Sequence, residues 1–212
     1  MEVVEDKFSS YIAKTYMWMV VGLLIAGVTG IISYQYGWWN NTGILIGSFL
    51  LVIAMIVVMK ITNSKEIEIP AFITFNIGIG VGLGYIPAYY NGVTIAQGIL
   101  ITSLIFTLFS IIAWKKPEYF KGTKMLILLL TSLIGVIIIE FAMMFINPSF
   151  VGNPYWNALV AVIFVGFILY DTSKLKDWYE EGYSEIDCAV SFILDFINLL
   201  LRILDIIDTD TD

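Results

Sequence analysis

The chain is expected to fold as an all-α integral membrane protein with seven transmembrane helices, and three observations lead there. Hydrophobic residues fill 59% of its 212 positions and the mean hydropathy is +0.88, far more apolar than a soluble core of this size can use. Seven runs approach the roughly 20 apolar residues that a helix needs to cross ~30 Å of hydrocarbon. The lysines, finally, fall in alternate connections between those runs.

The spans lie at 16–36, 43–59, 71–89, 95–114, 125–146, 156–172 and 188–207. Trp38 and Trp39 follow the first, Tyr89 and Tyr90 close the third, Trp114 closes the fourth, and Tyr155 and Trp156 open the sixth. Such amphipathic rings settle at membrane–water interfaces and support those boundaries. Lys60 ends the second span, where the ordinary role is to snorkel to the headgroups. Within the third span, Gly78-Ile-Gly-Val-Gly-Leu-Gly84 holds two overlapping GxxxG spacings, which let a neighbouring backbone approach closely. A phosphate-cradling loop would instead precede a helix at a solvated strand end. The helical pattern of the sixth span runs on past Lys174 and Lys176 to a stop at Gly182; Ser184-Glu-Ile-Asp187 then reads as an N-cap with an acidic first turn.

Connections 37–42, 90–94 and 147–155 contain no Lys or Arg. Lys7 and Lys14, Lys60 and Lys65, Lys115, Lys116, Lys121 and Lys124, and Lys174 and Lys176 all fall on the other side. The positive-inside rule therefore places the N-terminus in the cytoplasm and, after seven crossings, the C-terminus outside. With no linker and no repeat, residues 1–212 read as one polytopic membrane domain. The acidic start, Met1 to Asp6, lacks the basic region of a cleaved signal. A net charge of −7 and a pI near 4.5 argue against nucleic-acid binding. The single Cys188 and the lack of histidine exclude an intramolecular disulfide, His-based catalysis and a zinc site.

Function is read from the ionisable residues at membrane depth, each of which costs about 2.5–3.5 kcal/mol at a helix centre. Asp171 lies eleven residues before Gly182 and Asp195 eleven after Ser184, so both sit about 16 Å from the hairpin turn at 1.5 Å per residue. Two unit charges ~4 Å apart repel by about 4 kcal/mol at an effective dielectric of 20, so one carboxyl is expected to hold a proton near neutral pH. Such a pair titrates as a unit and, once ionised, offers oxygens to a hard cation such as calcium. Along the last span Ser184, Cys188, Ser191, Asp195, Asn198, Arg202 and Asp205 recur at steps of four and three, a single polar stripe. Ser191 and Asn198 belong to a polar pathway in this reading; hydrogen bonding to neighbouring helices is the plainer alternative. Glu140 and Arg202 fall at the same height to within about one turn, so they can pair in the outer half. A neutral, hydrogen-bonded Glu140 is the other possibility.

These residues resemble the Bax inhibitor family of seven-helix membrane proteins. Three segments carry the resemblance: Tyr16-Met-Trp-Met with Gly22-Leu-Leu-Ile-Ala-Gly27, Ile168-Leu-Tyr-Asp171-Thr, and Leu194-Asp-Phe-Ile-Asn198-Leu-Leu-Leu-Arg202-Ile-Leu204. It extends over essentially the whole chain. The resemblance implies a central seventh helix wrapped by six others and a pH-sensitive calcium leak controlled by an aspartate pair corresponding to Asp171 and Asp195. It also implies a link to cytosolic calcium and, in eukaryotes, to cell death. Three departures accompany it. Bacterial relatives carry an arginine at the end of the second helix that latches onto the sixth-helix aspartate, where this chain has Lys60, which cannot bridge a carboxylate bidentately. Gly43 to Met59 contains no acid, although some relatives have a glutamate there. The tail Asp205-Ile-Ile-Asp208-Thr-Asp-Thr-Asp212 is acidic, which favours a prokaryotic plasma membrane.

The expected activity is thus a pH-sensitive cation leak and not an enzyme. Asp171 and Asp195 serve as sensor and calcium ligands, and Lys60, Glu140 and Arg202 as gating groups. Calcium, protons and membrane lipid are the partners and no cofactor is called for; the sequence leaves protein partners and oligomeric state open, a monomer among the choices. An intramembrane aspartyl protease is the competing class, but its second aspartate sits in a GxGD motif, whereas this chain reads Phe192-Ile-Leu-Asp195. A proton-coupled carrier lacks support from paired Gly/Pro-broken helices. A non-conducting membrane regulator also stays open.

Overall fold

The computed structural model describes residues 2–62 and 64–208. Met1, the side chains of residues 2–5, Asn63 and the last four residues of the acidic tail lie outside them. Nearly all of the described chain is helical: α1 Glu2–Gln35, α2 Thr42–Ile61, α3 Lys65–Leu83, a one-turn α4 Ile86–Tyr89, α5 Gly92–Lys115, α6 Thr123–Ile146, α7 Pro154–Glu181 and α8 Glu185–Asp208. Short 3-10 turns at Trp38–Asn40, Pro117–Tyr119 and Pro148–Phe150 join some of them.

Six stretches are long and apolar enough to cross a membrane, namely α1 from Asp6, α2, α3 continued through α4, α5, α6 and α7. The seventh long helix, α8, differs in charge. Between Asp187 and Asp205 the chain carries the charged Asp195 and Arg202, and a stretch that reaches beyond residues 188–204 also takes in one of those flanking aspartates. What replaces lipid around α8 is protein, for none of its residues from Glu185 to Asp208 is exposed. The opposite holds for α2, where only Met59 is buried, and for α6, where only Leu129 and Val136 are. Those two helices present aliphatic side chains outward, as lipid-facing helices must.

By backbone packing the chain forms two compact units, Met1–Asn91 with Trp178–Ile193, and Gly92–Asp177 with Leu194–Asp212. In the first unit the glycine run of α3 does the packing expected of it. A Cβ on Gly80 would stand 2.5 Å from the Ala26 carbonyl oxygen of α1, and one on Gly78 would stand 2.8 Å from Val52 of α2. Ser33 of α1 adds a hydrogen bond to the Val81 carbonyl at 2.8 Å. The third span is not continuous, however. Pro87 has no N–H to give to the Leu83 carbonyl, so the ladder stops at Gly84 and restarts as α4 with Pro87 in its first turn.

The α7–α8 hairpin closes the first unit. Gly182 takes φ +84, the left-handed conformation that glycine adopts without a Cβ penalty. The Tyr183 N–H then reaches the Trp178 carbonyl at 2.9 Å and the Gly182 N–H the Tyr179 carbonyl at 3.2 Å, the two bonds of a Schellman stop. The Trp178 and Tyr183 rings pack across it, 6.3 Å between centroids. Ser184 caps the next helix as its spacing foretold: its Oγ accepts the Asp187 N–H at 3.0 Å. In the second unit, Gly98 of α5 lies against Leu204 of α8, and Gly166 of α7 against Leu129 of α6.

Candidate functional site

Asp171 of α7 and Asp195 of α8 both belong to the second unit, and both are buried, at 9% and 7% exposure. Asp195 Oδ2 is buried and accepts no hydrogen bond. Buried polar side chains lie beside Asp171: Thr172 Oγ1 donates to Ser110 Oγ of α5 at 3.3 Å, and Ser173 Oγ to the Tyr170 carbonyl at 2.7 Å. Among the described residues no three acidic, cysteine or histidine side chains converge, so the pair does not build a closed metal cage.

Glu140 and Arg202, also in the second unit, are brought together. Arg202 Nη1 lies 2.7 Å from Glu140 Oε1, and Nη2 donates to Oε2 at 3.1 Å, the two-pronged geometry a guanidinium offers a carboxylate. Two further groups complete the clamp. Trp156 Nε1 donates to Glu140 Oε1 at 3.0 Å, and Asn157 Oδ1 accepts from Arg202 Nη1 at 3.0 Å. Asn157 Nδ2 donates in turn to the carbonyls of Val151 and Asn153, which ties the clamp to the α6–α7 connection.

Lys60 lies in the first unit. Its Nζ stands 3.1 Å from Asp187 Oδ1 and 5.1 Å from the centre of the Tyr183 ring. It is one of three lysines from three helices around the first turn of α8, for Lys14 and Lys65 stand 3.7 and 3.2 Å from Glu185. The Tyr11 hydroxyl and Cys188 Sγ are 2.9 Å apart, and the Ser184 hydroxyl donates to Glu68. Further along the stripe, Asn198 donates to the Leu194 carbonyl of its own helix at 2.8 Å, and Ser191 is half-buried.

Glu68 and Asn157 are functional candidates that sequence reasoning missed. Glu68 sits in Lys65-Glu-Ile-Glu68, which looks like a solvated acidic first turn, yet it is only 5% exposed. The available signal was register: Phe72 and Phe75, both fully buried, follow it at four and seven residues, on the same helix face. Asn157 precedes the buried Val160 and Ala161 by three and four in the same way.

A sequence model of the family described as "Inhibitor of apoptosis-promoting Bax1" matches residues 8–212. The "Inner membrane protein YbhL" of Escherichia coli K12 is 24% identical, over 93% of this chain and 90% of that protein. An uncharacterized protein of Helicobacter pylori J99 is 28% identical, over 98% and 90%. "Protein LIFEGUARD 4" of Arabidopsis thaliana is 29% identical over 62% of this chain and 53% of its own.

Glu140→Gln, Arg202→Met and the double variant, compared by thermal unfolding in detergent, are expected to show a coupling of about 1–3 kcal/mol, because each single change strands a partner. Additive effects within error would show that the clamp contributes no pairwise energy.

At the hairpin, burial pushes Glu185 up, but its backbone N–H bond, Lys65 and Lys14 outweigh that and hold the carboxyl below its ordinary value. A lowered folded-state value contributes stability above the unfolded value of about 4.3 and loses it as pH falls through the lower one. Glu185→Gln is therefore expected to flatten the acid limb of the stability–pH curve while leaving its slope near neutrality alone. An unaltered acid limb would contradict the assignment.

Proposed function

The chain belongs to the Bax inhibitor family, a family of membrane proteins, and from that premise we propose that it is a pH-sensitive cation leak with calcium as its cargo, switched by Asp171 and Asp195. Two buried carboxyls in one compact unit, one with an oxygen that accepts no hydrogen bond, support this assignment. A proton shared between them removes their repulsion and lets them bond to one another; loss of that proton restores the repulsion and frees oxygens for a passing cation. Calcium takes six to eight oxygen ligands, roughly, and two carboxylates supply only some, so the ion keeps water and leaves readily. Ser191 and Asn198, on the same face of α8, extend the polar route.

The remaining charged groups act as gates in this reading. The Glu140–Arg202 clamp, braced by Trp156 and Asn157, seals one half of the pathway. Lys60 tethers the hairpin through Asp187, and a lysine does so as a single point charge where an arginine would grip through two hydrogen bonds. The lysine pattern supports a cytoplasmic N-terminus and an external C-terminus. Similarity to YbhL, an inner membrane protein, supports a bacterial plasma membrane.

Purified protein in liposomes loaded with a calcium dye, assayed between about pH 6 and 8, tests the switch. Asp195→Asn and Asp171→Asn are each expected to change the flux and flatten its pH dependence, and the double variant to add little, because the two act as a unit. Unchanged pH–flux curves in both single variants would sink the assignment.

A further inference from the structure

The second unit contains an apolar cavity of about 740 Å³ between α5, α6, α7 and α8, in which only Ser132 carries a polar side chain. Its floor is buried: Leu129 is 5% exposed and packs directly onto Gly166. Its rim is open, with Leu128 62% and Val162 68% exposed. Along α7 it runs from Ala158 to Leu169, eleven residues or about 16 Å at 1.5 Å per residue, half the thickness of the hydrocarbon. An apolar cavity does not hold water, and a rim that opens sideways from membrane-crossing helices meets lipid tails.

One end of the cavity is basic. Met125 lines it and directly follows Lys124; Phe109 lines it about two turns before Lys115 and Lys116. Lys121 of the same connection is neutralised by Glu118 at 3.2 Å and Asp177 at 3.3 Å. Lys115, Lys116 and Lys124 are exposed and make no ion pair among the described residues. Positive-inside lysines occur beside many spans, but here they border the end of an apolar groove, and basic groups so placed bind anionic headgroups.

We propose that this cavity holds one acyl chain of an anionic phospholipid whose phosphate rests on Lys115, Lys116 and Lys124. The chain supplies the apolar fit and the lysines select the headgroup. Phosphatidylglycerol and phosphatidylcholine with identical tails separate the two contributions.

Full-length protein in mild detergent, titrated with each lipid and read by native mass spectrometry and thermal shift, should retain one phosphatidylglycerol, favoured over phosphatidylcholine by at least about fivefold. The triple variant Lys115→Gln, Lys116→Gln, Lys124→Gln should lose that preference yet retain either lipid at the phosphatidylcholine level. Ala158→Phe, at the rim, or Ser132→Phe, from the α6 side, should fill the cavity and abolish retention of both lipids, with lipid-free thermal unfolding confirming that the variant is folded. Equal retention of the two lipids by the unaltered protein, no stoichiometric lipid, or an undiminished preference in the triple variant would overturn the proposal. So would full retention in both folded cavity-filling variants.

Discussion

A polar group inside a bilayer has no water to turn to, and α8 carries one at nearly every turn. That constraint organises the rest of the protein. A helix with Asp195, Asn198 and Arg202 in its crossing segment cannot lie against lipid, and no residue of α8 is exposed. α2 and α6, in contrast, bury almost none of their residues and carry aliphatic side chains, as lipid-facing helices do. Close approach within the first unit follows from glycines in α3 that admit the backbone of α1 and the side chains of α2.

The two charged pairs in the second unit are chemically opposite. Glu140 and Arg202 neutralise each other through two hydrogen bonds, and Trp156 and Asn157 take up further hydrogen-bonding capacity of the clamp. Asp171 and Asp195 are of like sign, and Asp195 Oδ2 has no hydrogen-bond partner. In the proposed switch their lowest-energy state depends on protons. A third cluster, three lysines around the first turn of α8, lies nearer water and holds the hairpin by geometry and modest ion pairs.

Much of this was legible in the sequence because the relevant rules are periodic. Hydropathy windows found the long helices, helical rise matched the heights of Glu140 and Arg202, and turn chemistry located Gly182 and Ser184. What periodicity does not carry is the identity of a partner on another helix. Glu68 resembled a solvated charge because its neighbours Lys65 and Glu66 are charged; only its register with Phe72 and Phe75 marked it as buried. By sequence Lys60 reads as a residue that snorkels to the headgroups or, through the resemblance, stands where relatives latch the sixth-helix aspartate; the partner it meets in the structure is Asp187 of α8. The break at Gly84 falls within the stretch 71–89 that hydropathy alone reads as one span, because the missing Pro87 N–H interrupts the hydrogen-bond ladder.

The central claim is that Asp171 and Asp195 exchange protons as one unit, and infrared titration of the carboxyl C=O stretch tests it most directly. A protonated-carboxyl band in the unaltered protein should fade as pH rises, and replacing either aspartate by asparagine should shift the titration midpoint of the one that remains, because each carboxyl titrates in the field of the other. A remaining carboxyl that titrates unchanged in both single variants would contradict the account.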